Sequence, residues 1–284
     1  MTGASDTVEQ DAPARRVILH CGVQKTGSTA LHRYLERNRA ALAGRLEVLT
    51  PARKSLAQRL GRAAMLYSLE PGEARRGDLL ALARQMRAHL AEGQGNALIS
   101  HENFPGAMIG KRGVTTLYPH LEEILAVLEE GLAPFRPEVV IYTRGMPAWK
   151  KSVFNQAVKS DHYPRSEADF LAETEACGTW DALEARAVAA LGRARVTLFR
   201  LEDERDPARP GTQLLRHAGL SADEIAALAP GPRRANQSLN PGALEFMRQI
   251  NGLSLDPPIR RKLADLVVAN QTLFVTDIVQ GARA

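Results

Sequence analysis

The sequence predicts an α/β fold: a single domain of three layers, with a central parallel β-sheet flanked by helices and a mainly helical C-terminal part. Two observations carry this prediction. Short β-branched or apolar runs recur at 17–21, 97–100, 139–143 and 196–199, each with the length and composition of a buried strand. Stretches with helical spacing of apolar residues separate them, and strand alternating with helix is the order that builds a parallel sheet.

In chain order, the first strand is Val-Ile-Leu-His-Cys at 17–21. A helix over 29–43 follows, with Leu31 and Leu35 one turn apart on its apolar face. Helical spacing over 78–91 leads into the strand Ala-Leu-Ile-Ser at 97–100, and spacing over 117–130 leads into Val-Val-Ile-Tyr-Thr at 139–143. Pro147 is placed as the first residue of the next helix, over 148–158, because a helix start needs no amide there. Helices over 167–175 and 180–191 precede the strand Val-Thr-Leu-Phe at 196–199. Beyond Phe199 the spacing gives only helices, at 212–217, 222–228, 243–250 and 259–269. Loops rich in Pro, Gly or charge fall at 131–137, 161–165, 203–211 and 230–242, none long enough to link domains. Residues 1–14 are polar and are expected to be a disordered tail, leaving 15–284 as the domain.

A chain of 284 residues, 44% hydrophobic and 24% charged, is neither collagen-like nor disordered nor a coiled coil. It has no run near the 18 or so apolar residues of a membrane helix and no apolar stretch for a signal peptide, so a cytoplasmic protein without integral membrane association is expected. Cys21 and Cys177 are too few for a disulfide framework or a four-ligand zinc site. The net charge of +5 suits an anionic ligand. Basic residues are dispersed among acidic ones and aromatics are only 5%, which speaks against a nucleic-acid partner.

The segment after the first strand carries the most chemistry: Gly22-Val-Gln-Lys25-Thr26-Gly27-Ser28-Thr29. Glycines let the backbone curl until successive amides converge, the following helix start adds partial positive charge, and Ser28 and Thr29 add donors. Lys25 supplies a full charge. In a standard phosphate loop the Lys follows the second Gly, whereas Lys25 precedes Gly27. A second constellation follows the third strand, where Arg144 leaves the strand beside a helix start and Ser152 follows one to two turns in, so both could grip one phosphate.

The Lys-Thr-Gly-Ser-Thr string resembles the 5′-phosphosulfate loop of sulfotransferases that use 3′-phosphoadenosine 5′-phosphosulfate (PAPS), and the Arg144/Ser152 pair resembles that family's 3′-phosphate-binding segment. The resemblance implies a P-loop-like fold, PAPS as donor co-substrate with no metal required, and a small-molecule, lipid or glycan acceptor. It implies that Lys25 acts at the bridging or leaving oxygen, that the backbone from Thr26 to Thr29 with Gly22 holds the 5′-phosphosulfate, and that Arg144 and Ser152 read the 3′-phosphate. The loop carrying Arg233 and Arg234 resembles the late basic loop that closes over the nucleotide. Ser100-His101-Glu102 resembles the place where the family carries its base. Strand alternation keeps His101 and Glu102 from aiming into one cleft together. Glu102 is the chosen base, with His101 the alternative. A nucleotide kinase or other phosphotransferase, and a nucleotide-binding protein without turnover, are the competing readings.

Overall fold

The computed structural model describes residues 15–231 and 239–274. The N-terminal tail and the loop with Arg233 and Arg234 lie outside the described residues.

In chain order the elements are β1 (Val17–His20), α1 (Ser28–Arg37), α2 (Arg39–Leu42), β2 (Leu46–Leu49), α3 (Leu56–Leu69), α4 (Glu73–Glu92), β3 (Asn96–Ser100), α5 (Leu121–Leu132), β4 (Glu138–Thr143), α6 (Met146–Ser160), α7 (Glu167–Glu173), α8 (Trp180–Leu191), β5 (Val196–Arg200), α9 (Thr212–His217), α10 (Ala222–Ala227), α11 (Pro241–Asn251) and α12 (Pro257–Ala269). The five strands form one sheet in the order β2-β3-β1-β4-β5, and every neighbouring pair is parallel. The predicted α/β fold with a parallel sheet and a helical C-terminal part is the one observed.

Alternation along each strand divides the core in two. Val17, Leu19, Ile99, Val139 and Ile141 pack with α3, α4, α5, α6 and α8 on one face. Ile18, Leu98, Val140 and Tyr142 pack with α1, α9 and α10 on the other. The central strands are therefore apolar at nearly every position, because side chains on both faces are covered.

Besides helix α3, which was not expected, three details depart from the sequence expectation. A fifth strand, β2, lies at the sheet edge, where only alternate residues are buried and Glu47 interrupts the apolar run. The helix expected over 29–43 breaks at Asn38, whose buried amide donates to the carbonyls of Tyr34 and Ala229 and accepts from the Ala229 amide. The helix expected from 117 begins at Leu121. Leu117 instead donates its amide to the Cys177 carbonyl, and Tyr118 takes a left-handed backbone ahead of Pro119.

Parallel strands send their exits to one edge. Register pairs His20 with Ser100, and the Cys21 and Val23 amides continue onto the carbonyls of Val140 and Tyr142 of β4. The turns after β1, β3 and β4 therefore emerge side by side. Among the described residues no helix is long and apolar enough to cross a membrane.

Candidate functional site

Gly27, in the left-handed region at φ 86°, ends the turn after β1 and stands as the residue before α1. It offers no side chain, so the first amides of α1 have no side-chain cap. Helix starts without caps leave backbone donors open to an anion, aided by the helix dipole. Gly22 is needed for a different reason: a Cβ there would come within 2.8 Å of the His20 ring. The Thr26 hydroxyl donates to the Val23 carbonyl (2.6 Å), bracing the turn from within.

The turn is pinned from outside by Gln24, which the sequence reading did not single out. Its amide nitrogen donates to Asn103 Oδ1 (2.9 Å) and the Gly106 carbonyl (3.0 Å), and its Oε1 accepts from the Tyr118 hydroxyl (2.6 Å). The Trp149 indole N–H donates to the Gln24 carbonyl (2.8 Å), and the Trp180 indole N–H donates to the Arg144 carbonyl (2.7 Å). The chain's two tryptophans, in edge contact at 4.9 Å, thus each hold one of the two turns.

Lys25, Gly27, Ser28, Thr29, Glu102, Arg144 and Ser152 line one cavity of about 530 Å³. Gly22 and Thr26 are not among the residues that line it. Lys25 takes a left-handed backbone (φ 72°) and donates to Gln156 Oε1 at 3.4 Å. Among the described residues it has no carboxylate partner. Burial, with the charges of Lys159 and Arg144 nearby, holds its ammonium below the ordinary lysine range. Gln156 is four residues after Ser152 in α6 and so shares its face, a periodicity that sequence alone could have flagged. Arg144 makes no ion pair among the described residues, while Glu202 accepts the Gly145 amide beside it (2.8 Å).

The expectation that His101 and Glu102 aim into different clefts does not hold: β3 ends at Ser100, so strand alternation stops before them, and both residues line the adjoining second cavity. The His101 ring is 5% exposed, and its Nδ1 accepts from the Asn103 amide at 3.1 Å. Burial lowers its pKa to about 4, so near neutral pH it is uncharged with its proton on Nε2. Glu102 faces the cavity, and its Oε2 is buried without a hydrogen-bond partner, 3.6 Å from His101 Nδ1. The side chain as a whole is 31% exposed where it lines the cavity, a position from which a carboxylate can accept a proton. Nearby, His20 Nδ1 and His32 Nε2 both reach Ser100 Oγ (2.7 and 2.8 Å), a buried chain that periodicity did not reveal.

A second cavity, about 970 Å³, adjoins the first and shares Met65, Glu102, Asn103 and the Lys111–Asp161 ion pair (2.5 Å) with it. Helix α3 and the turn at Lys54 form much of its wall, and His101 reaches it. Among the described residues no three of His, Cys, Asp and Glu gather as a metal-ligand group.

No family model matches the sequence. A search of curated proteins also finds no match. Among solved structures, the chain is similar to a sulfotransferase from Alicyclobacillus acidocaldarius, at a TM-score of 0.46 and 14% identity, over 94% of this chain and 96% of that one.

Proposed function

We propose that this protein is a PAPS-dependent sulfotransferase that moves a sulfuryl group to a hydroxyl or amine of a small-molecule, lipid or glycan acceptor. The observation that carries the reading is the convergence of Lys25, the uncapped start of α1, Arg144, Ser152 and Glu102 on one cavity. A donor with phosphates at both ends fits it. Open amides and Lys25 suit the 5′-phosphosulfate, and an arginine without an ion pair suits the 3′-phosphate.

The acceptor's lone pair attacks sulfur in line, a new S–O or S–N bond forms, and the S–O bond to the 5′-phosphate breaks with its electrons staying on the phosphate. Lys25 and the amides from Gly27 to Thr29 neutralise the charge that grows on that leaving oxygen. Glu102 takes the acceptor's proton on its carboxylate, which is partly exposed where it lines the cavity. His101 orients this turn by accepting the Asn103 amide, and with its Nδ1 so engaged it is the weaker candidate for base. The adjoining cavity supplies room for the acceptor, so Glu102 stands at the junction of the two.

The test is release of 3′-phosphoadenosine 5′-phosphate (PAP) from PAPS across a panel of hydroxyl and amine acceptors, with Lys25→Ala as control. Acceptor-dependent release that is lost in the variant supports the reading. Consumption of ATP with Mg²⁺, and none of PAPS, would replace it with a phosphotransferase.

A further inference from the structure

The second cavity is lined by five cations, Lys54, Arg59, Arg62, Lys111 and Arg112, against two carboxylates, Glu102 and Asp161. Lys111 is spent on Asp161, and Arg112 reaches Glu70 at 2.8 Å. Lys54, Arg59 and Arg62 make no ion pair among the described residues. Arg59 and Arg62 are three apart on α3 and so present neighbouring guanidinium groups, while Leu66 and Leu69 on the same helix give the cavity an apolar stretch.

Backbone strain gathers in the same place. The described residues hold five non-glycine positions with positive φ, and three of them, Lys54 (66°), Arg112 (48°) and His162 (60°), line this cavity. A fourth, Lys25, lines the donor cavity. Such a backbone is unfavourable for a residue with a Cβ and persists where the surrounding structure holds side chains aimed at a site. Gln58 holds the turn at Lys54 by accepting its amide at 2.7 Å.

We propose that the acceptor carries an anionic group, carboxylate, phosphate or sulfate, which Lys54, Arg59 and Arg62 hold in the second cavity while the nucleophilic hydroxyl or amine meets Glu102. The role as acceptor site rests on the sulfotransferase reading; the anion selectivity of the cavity does not. Guanidinium groups bind carboxylates and phosphates through paired hydrogen bonds, so the two arginines set the preference and Lys54 adds charge. An uncharged acceptor would leave three cations unanswered.

The experiment saturates the protein with PAP, so that the donor cavity is filled, and titrates three probes: 4-nitrophenyl β-D-glucuronide, 4-nitrophenyl phosphate and the neutral 4-nitrophenyl β-D-glucoside. At least one anionic probe is expected to bind about tenfold more tightly than the glucoside, the scale of one charge-assisted contact. Which one does so separates a carboxylate from a phosphate. Arg59→Ala/Arg62→Ala should erase the preference and leave PAP affinity unchanged. Both arginines are exposed on a helix, where Ala is well tolerated, and a thermal melt verifies that the variant is folded. Equal or undetectable binding of all three probes, or a preference intact in the double variant, overturns the inference. Failure to bind PAP would sink the donor reading instead, and titrations without nucleotide would still decide the anion preference.

Discussion

Gly61, inside α3, separates local propensity from tertiary packing. Alanine is favoured over glycine in a helix by about 1 kcal/mol, so propensity alone predicts that Gly61→Ala stabilises the protein. The structure reverses the sign. A Cβ at 61 would lie 2.2 Å from Cδ2 and 2.3 Å from Cγ of His101, against an ordinary contact of about 3.5–4.0 Å. The ring cannot swing away freely, because it is buried, packs on Phe104 at 5.7 Å and accepts the Asn103 amide. Overpacking costs about 1–3 kcal/mol, and a pinned ring belongs in the upper part of that range. After the propensity gain, the net loss is about 1–2 kcal/mol, or a fall in Tm of roughly 2–8 °C. Gly77, in α4, is the matched control: a Cβ there meets nothing within 4 Å, so Gly77→Ala should gain about 0.5–1 kcal/mol. Thermal melts of both variants read the difference directly, and adding His101→Ala to Gly61→Ala should recover part of the loss through coupling of contacting residues. If Gly61→Ala were as stable as Gly77→Ala, the packing that aims the His101–Glu102 turn would be misdescribed.

Other outcomes follow from the same geometry. Glu102→Gln keeps the shape but cannot take a proton, so turnover in the PAP-release assay should fall by about 10²–10⁴-fold with PAP affinity unchanged; full turnover would remove Glu102 as base. Trp149→Phe keeps the apolar bulk and strands the Gln24 carbonyl, which should cost about 1–3 kcal/mol in denaturant unfolding, and no loss would mean the indole does not pin the loop. The pH dependence comes from His20, His32 and His101, whose pKa values burial lowers to about 3, 4 and 4 from 6.5, with Glu102 and Glu36 partly opposing it at His32. The unfolded chain binds protons near 6.5 and the folded chain does not until about 4, so stability present above 6.5 is lost as pH falls between 6.5 and 4. Melts from pH 7 to 5 should show Tm declining through that window, and a flat profile would contradict the assigned neutral state.

The sequence was most legible where burial is two-sided. β1, β3 and β4 are covered on both faces, so their residues are almost uniformly apolar and their type and order could be read directly. β2 was missed because an edge strand of four residues with Glu47 at its second position has too little periodicity to stand out. α3 was missed although it walls the second cavity, because its buried face is built largely of the small or polar residues Ala57, Gly61, Ala63, Ala64 and Ser68, which give a weak apolar stripe; Gly61 leaves room for the His101 ring. In the site, glycine, hydroxyl and lysine after a first strand marked the anion cradle, since backbone amides need those residue types at that spacing. Gln24, the two indole N–H groups and the His20–Ser100–His32 chain left no trace in the sequence, for their partners are 36 to 125 residues away and only the fold brings them together.

The central claim is that the cavity beneath α1 and α6 recognises a nucleotide by its 3′-phosphate through Arg144. Calorimetric titration of PAP and of ADP, into the wild type and into Arg144→Ala, tests it most directly. The wild type should bind PAP about 10-fold to 100-fold more tightly than ADP, and Arg144→Ala should bring the two together, as loss of a charge-assisted contact of about 1.5–3 kcal/mol requires. Equal affinities in the wild type, or a preference for PAP that survives in the variant, would contradict the account.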